Sequence, residues 1–466
     1  MFNAISSRVR ANGAAAVANP ASLAFLRALA ADYDDQQTRY ERLRDWYNGA
    51  HNVPLTDRQE EYLALDGRFP WALNYLRLPV DLCVERLTVI GFDGPDGIGG
   101  EGGLLDEWWT SARLDALQNQ VHRAAVRDGD TYVLIEWDGA AGRPVFSHEP
   151  AYDGVEGVKV HYLSNLRREM TMASKRWAEQ WFDDAGRVQT VQRLNLYFPD
   201  RIERYTDRGN GWQPHEEAGF PWPIPWPVGR IPVVHFRWKD DGQNWGESEL
   251  EPLIPLQMAL NKSALDALET ADKTGAQLLT LTGAVWPDTS PTVRAGDVLS
   301  VSAEGARWGS VPAGDLSQLR EEVSAWIVRM AQIAHIPLQY FQVTGQIASA
   351  ATQQADDSQL VAKVSSEAVS LGNAWEDVMY LALKLNQAYG DGRDLARGEN
   401  IETRWADFER VDRLAVEERR AAIMATLTNA GASLAGALAL PALGYSEEEQ
   451  AALLRADTAG EEGLAQ

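Results

Sequence analysis

Leu360, Val364, Ala368, Leu371, Trp375, Val378, Ala382 and Leu385 step along the chain by 4, 4, 3, 4, 3, 4 and 3. Seven steps over 25 residues average ~3.6 per step, so these side chains form one apolar stripe on one long helix. Tyr389-Gly390 ends it. A helix of that length with a single apolar face must lie against a layer of other elements. The rest of the fold has to supply that layer.

Upstream, the periodicity alternates between helix and strand. A helix is expected over Asp34–Tyr47, with Tyr40, Leu43, Trp46 and Tyr47 on one face and Gly49 as its C-cap. Thr56 and Gln59 have capping-box spacing and open another. The apolar run Leu73–Leu87 reads as helical and leads into a strand, Leu87–Phe92, followed by a flexible Gly94–Gly103 loop. A helix is expected over Leu104–Arg127 and a strand over Thr131–Trp137. From there to Arg237 the period is two. Val158–Leu163, Arg176–Phe182, Val188–Phe198 and Arg201–Tyr205 read as an antiparallel meander. Phe220–Pro227 alternates Pro with bulky residues and reads as a stiff extended connector.

After Gly246 the helical period returns. Ser248 and Glu251 have capping-box spacing ahead of a helix running to about Lys273, with Pro252 and Pro255 confining its regular part to the residues after them. Leu278–Pro312 is a small β-rich insert, and a second helix runs from Asp315 to His335. Two helices flanking one compact insert suggest an antiparallel pair. Between this pair and the long helix, Ala331–Ala355 carries no formal charge, with His335 neutral, and includes Gln332, Gln339, Gln342, Gln346 and Gln353.

That neutrality matters because the chain is acidic. Its 466 residues include 67 Asp and Glu against 43 Lys and Arg, a net charge of −24. Such a balance argues against a dedicated nucleic-acid binder, which relies on cation–phosphate contacts. The length suggests about three domains at ~150 residues each. Cys83 is the only cysteine, so there is no disulfide framework or thiolate zinc site, and a reducing compartment fits best. Met1–Ala31 has three Arg and no acid and reads as an N-terminal arm. Ala421–Ser446 is uncharged, but Asn429, Gly431, Ser433, Gly436 and Pro441 interrupt it. It is expected to be two packed helices rather than a membrane span. The acidic tail from Glu447 is expected to fray.

The search for reaction chemistry returns negatives. Gly97, Gly99 and Gly102 satisfy G-x-G-x-x-G, but Asp93–Asp96 separate them from the strand and Glu101 occupies the pyrophosphate position. No P-loop and no H-E-x-x-H occurs. The Asp pairs at 34–35, 183–184, 240–241 and 356–357 fit turn and first-turn helix roles better than a metal site. The 17 Trp fall mostly on apolar phases, as core residues. No catalytic, cofactor or metal site is expected.

Gly229-Arg-Ile-Pro-Val-Val-His-Phe236 leading into Gly246-Glu-Ser-Glu-Leu250 and the helix through Asn261-Lys262 is one distinctive stretch. His335-Ile-Pro-Leu-Gln-Tyr-Phe341, followed by Gly345, is another. With the order of elements, these resemble the portal (head-to-tail connector) proteins of tailed bacteriophages over roughly residues 30–450. One departure is Arg237-Trp-Lys239, where the family often has an Asn.

The resemblance implies an α+β portal-like fold. Its parts would be an N-terminal arm (1–31), a wing of helices and antiparallel meander (32–245), and stem helices at 246–275 and 315–336 around a β-rich clip (276–314). A tunnel loop (337–355), a long wing helix with a return strand (356–411), a helical crown (412–455) and an acidic tail (456–466) would follow. It further implies a homo-oligomeric ring of about twelve subunits at one capsid vertex of the virion, assembled in the bacterial cytoplasm. Double-stranded DNA would pass through its channel. Its partners would be the large terminase subunit, a head-completion (adaptor) protein, the major capsid protein and a scaffold, with no membrane. Gln339, Gln342, Thr344, Gln346 and Ser349 would approach DNA in the tunnel loop. Trp286, Asp288, Arg294 and Asp297 would be exposed in the clip. A neutral loop suits a constriction, since each added cation would grip phosphate and added acids would raise a barrier. Twelve copies would carry −288 (12 × −24), a field that discourages adsorption of DNA. Two alternatives stay open: another minor head protein of a phage, or a Trp-rich glycan-binding or hydrolytic protein.

Overall fold

The computed structural model describes residues 37–51, 73–95, 97–164, 167–182, 186–216, 221–275, 279–282, 307–310, 316–341, 350–392 and 400–408, with 53 and 305 besides. The N-terminal arm, the capping box at Thr56, and the expected crown and acidic tail lie outside them. All described residues except 350–355 fall in one compact unit.

The chain is a mixed helix-and-sheet fold. In order come α1 (Gln37–Asn48), α2 (Arg77–Val84), β1 (Val89–Asp93), α3 (Leu104–Ser111), α4 (Leu114–Asp128), β2 (Asp130–Asp138) and β3 (Arg143–Pro150). The meander follows as β4 (Gly157–Ser164), β5 (Arg167–Phe182), β6 (Val188–Tyr197), β7 (Arg201–Asp207), β8 (Gln213–Pro214) and β9 (Ile224–Pro225). Then come β10 (Val233–Arg237), α5 (Ile254–Gly275), β11 (Leu279–Thr282), β12 (Arg307–Ser310), α6 (Leu316–Ala334), α7 (Ala350–Tyr389) and β13 (Glu402–Trp405).

All eight stripe residues of α7 are buried. The stripe widens toward the C-terminus, where Ala374, Met379, Leu381 and Leu383 are buried as well. That half is enclosed on most sides rather than on one. Trp375 is the centre, with Phe236 of β10 at 5.0 Å and Trp109 of α3 at 5.3 Å between ring centroids. The helix begins at Ala350, before the boundary expected at 356. The Ala- and Gln-rich stretch ahead of Asp356 is made of good helix formers.

The four strands expected as a meander lie consecutively in one antiparallel sheet. β4–β8 form one antiparallel ladder, with β9 on β7. The separate three-stranded sheet runs β10-β2-β3, because the Val233–Arg237 strand returns to pair with Asp130–Leu134. α5 packs along α6, with Ser263 Oγ donating to Glu322 Oε1 at 3.0 Å, and the β11–β12 ladder joins their far ends.

Three local expectations need correction. The expected Leu104–Arg127 helix is two helices, broken at Arg113 with a left-handed φ of 56°. The apolar phase explains the break, since the step from Trp109 to Leu114 is five residues and no helix face accommodates it. The described residues of the Gly94–Gly103 loop are packed against strand β1. Ile98 is buried, Gly100 N–H donates to Phe92 O at 2.8 Å, and a Cβ on Gly99 would lie 2.7 Å from the Asp93 carbonyl carbon. The Ser248–Glu251 capping box does not form, because the helix starts only at Ile254 and both side chains are used elsewhere.

Among the described side chains every Trp is buried or half-buried. No helix among the described residues is long and apolar enough to cross a membrane.

His122 of α4 supplies a pH test of this core. Its Nδ1 lies 3.0 Å from Leu87 O and its Nε2 accepts the Trp375 indole N–H at 2.9 Å, a pattern only the neutral ring completes. Burial pushes its pKa down to about 4. The unfolded chain takes up a proton near pH 6.5 that the fold refuses, so this contribution is whole above pH 6.5 and is lost as pH falls toward 4. Between pH 7 and 5, wild type should lose about 2 kcal/mol more unfolding free energy in urea than His122→Gln does. Equal losses would contradict a neutral, buried His122.

Candidate functional site

The stretch Gly246–Leu250 is where the strand region hands over to the paired helices, and each of its five residues is fixed by specific contacts. Gly246 passes against the backbone of residues 129 and 238, where a Cβ would come within 2.7 Å of Trp238 O. Its N–H donates to the buried Asp130 carboxylate at 2.8 Å. Asp130 also accepts Tyr40 Oη–H at 2.9 Å and faces His235 Nε2 at 2.8 Å. Burial holds the His235 pKa below the ordinary imidazole value, against the pull of Asp130. The Ser248 hydroxyl donates to Arg127 O and accepts Leu250 N–H, while Leu250 is buried.

Glu249 is the hub of the junction. Its buried carboxylate accepts the Trp238 indole N–H at 3.1 Å, meets Lys239 Nζ at 3.2 Å and meets Lys363 Nζ of α7 at 3.0 Å. Lys363 also donates to Ala334 O at 2.6 Å, the last residue of α6. A cation there complements the unpaired carbonyls and the negative end of that helix. Burial alone would lower the Lys363 pKa, but Cys83 and Glu249 beside it raise it above the ordinary lysine value. The Cys83 thiol is pushed up to about 12 by burial and is inert. Lys239 stands in a left-handed conformation, φ 50°, which Asn tolerates better. Its N–H donates to Glu367 of α7 at 2.9 Å.

The second distinctive stretch leaves this junction directly. His335, with φ 54°, stops α6, Ile336 turns inward, and Leu338–Tyr340 form one 3-10 turn. Phe341 is buried against Tyr75, their rings 6.0 Å apart. Tyr340 Oη–H donates to Asp357 Oδ2 of α7 at 3.1 Å, and Arg86 Nη2 donates to that same oxygen at 2.8 Å. Arg86 is buried, and its Nη1 donates to Leu82 O near the end of α2. So the residues flanking 342–349 on both sides are tied to one buried guanidinium.

Of the expected channel residues, Gln339 lies in the 3-10 turn, half-buried. Gln342, Thr344, Gln346 and Ser349 lie outside the described residues, as do Trp286, Asp288, Arg294 and Asp297 of the expected clip. Asp240 and Asp241 serve turns, each accepting a nearby backbone N–H. Asp357 differs from its expected first-turn role, because α7 starts well before it and the carboxylate binds Arg86 and Tyr340. Sequence reading missed Arg86, Glu249, Asp357 and Lys363. One signal was available: Lys363, one of seven lysines, falls three residues after Leu360 and so at the margin of an apolar stripe. Among the described residues no cluster of three or more His, Cys, Asp or Glu is arranged to hold a metal.

Removing one member of a buried pair strands the other charge. Lys363→Met should therefore cost about 3 kcal/mol or more in denaturant unfolding, and Glu249→Gln/Lys363→Met should cost less than the two single changes summed. Strict additivity would show that the pair does not hold the junction.

The sequence matches the family described as phage portal protein, SPP1 Gp6-like, over residues 26–419. It is 25% identical over 352 residues to the portal protein of Mycobacterium phage D29, covering 72% of this chain and 69% of that one. Among solved structures, it resembles the neck of an empty GTA particle at 13% identity and a TM-score of 0.40, covering 76% of this chain and 85% of that one. It also resembles an HK97-family phage portal protein from Corynebacterium diphtheriae at 12% identity and a TM-score of 0.32, covering 76% and 96%. With most of its length matched, the chain belongs to the phage portal protein family.

Proposed function

We propose that this chain, as a portal protein of the phage particle, assembles into a ring of about twelve subunits at one capsid vertex and forms the channel for double-stranded DNA during packaging, retention and ejection. α5 and α6 form its stem, and the segment between them, about 276–314, forms the clip that receives the large terminase subunit and later the head-completion protein. The wing faces the major capsid protein and, during assembly, the scaffold. The chain performs no reaction of its own.

The observation that carries this reading is the neutral stretch 331–355 in a chain of net charge −24, with Tyr340 before residues 342–349 and Asp357 after them both bonded to Arg86. A short uncharged segment held at both ends is suited to a constriction through which a polyanion slides. Cations there would hold phosphate in a salt-dependent way, and a loose segment would not keep a fixed aperture. Gln339, Gln342, Thr344, Gln346 and Ser349 are the residues that meet the DNA.

Gln342→Arg with Gln346→Arg is the direct test. Packaging should slow and DNA release should become strongly salt-dependent, because every copy in the ring adds two cations. Packaging and release indistinguishable from wild type at low and high salt would overturn the assignment.

A further inference from the structure

The β5–β6 hairpin outruns the sheet that carries it. β4 accompanies β5 only as far as Gly157 opposite Arg176, and β7 reaches β6 only from Gln192 opposite Asp207. Beyond those points, residues 177–182 and 188–191 pair only with each other among the described strands. A two-stranded ribbon with open edges is marginal in water, and natural proteins guard such edges with charge.

The two faces of this ribbon differ. One has Glu179 opposite a buried Val191, with Arg193 Nε donating to Glu179 Oε2 at 2.6 Å. The other carries Ala178, Gln180, Phe182, Val188, Thr190 and Gln192, and no charge. Phe182 and Val188 stand directly opposite one another and are 74% and 56% exposed. A face that met DNA would need cations, and one that met a basic partner would need acids. This face has neither and suits a neutral, apolar surface.

The chain offers such a surface itself. On the solvent side of α7, Gln359, Ala362, Ser366, Val369 and Asn373 recur at helical spacing without a charge, and Val369 is 64% exposed. Copies of a −24 chain repel one another overall, which favours contact through uncharged surface. A protruding apolar pair on one element and a flat neutral face on another are what a head-to-tail contact needs. Such contacts close into a ring when the rotation between successive copies closes.

We propose that the Phe182–Val188 face of the ribbon docks on α7 around Val369 of a second copy of this chain. This inference rests on the ring reading and names the contact that builds the ring. Two full-length variants test it. Phe182→Asp/Val188→Asp should lose rings in negative stain and in light scattering while keeping the wild-type circular dichroism spectrum, since both positions are exposed. Phe182→Cys/Val369→Cys should be linked by a short bis-maleimide into a ladder of multimers that neither single variant gives, Cys83 being buried. Normal rings from the Asp variant with no ladder from the Cys pair would overturn the docking and leave the ring reading standing. A cross-linked dimer from Phe182→Cys alone would mean ribbon-on-ribbon contact and would also overturn it. A wild-type chain that forms no rings at all would overturn both.

Discussion

The buried ion pair between Glu249 and Lys363 is the constraint around which this chain is organised. Taking either charge out of water costs several kcal/mol, and only full pairing offsets that. Glu249 is therefore surrounded by Trp238, Lys239 and Lys363, and Lys363 reaches on to the terminal carbonyl of α6. These bonds fix the start of α5, the end of α6 and one turn of α7 against the end of β10. Arg86 does the same nearly two turns away along α7, joining α2 to Tyr340 and Asp357. The paired helices thus leave a base tied by buried charges.

What was legible in the sequence was whatever is written locally. The α7 stripe, the strands of the meander, α1 and the helix pair follow from periodicity, although β5 starts nine residues and α7 six residues ahead of the expected boundary. The anchors were not legible. Glu249 and Lys363 are 114 residues apart in the chain, and Arg86 and Asp357 are 271 apart. Nothing within a window around any of the four announces a partner. Ser248 and Glu251 misled for a related reason, because capping-box spacing reports a local possibility. Here Arg127 and Arg39 compete for those side chains from far away in sequence.

The two resemblance stretches acquire a physical meaning. Gly246-Glu-Ser-Glu-Leu250 is a crossing of backbones that only Gly permits, followed by a side chain bonded across chains of contacts at 248 and 249 and a core residue at 250. His335–Phe341 is a helix stop and a turn that deliver Tyr340 to Asp357. Both motifs describe how the junction is tied, and they say nothing directly about DNA. The functional content lies in charge: an acidic chain is a poor clamp for DNA, and in a conduit weak affinity is an asset. The same repulsion limits where copies can meet, so neutrality marks both the proposed channel segment and the proposed contact faces.

The central claim is that the neutral segment between the two tied flanks forms the narrowest part of a channel. A cryo-electron-microscopy reconstruction of the purified, assembled chain tests it most directly. The account predicts a closed ring with a central channel in which residues 342–349 of every copy converge on the axis at its narrowest point. A ring in which those residues lie on the outer rim, or an assembly with no axial channel, would contradict it.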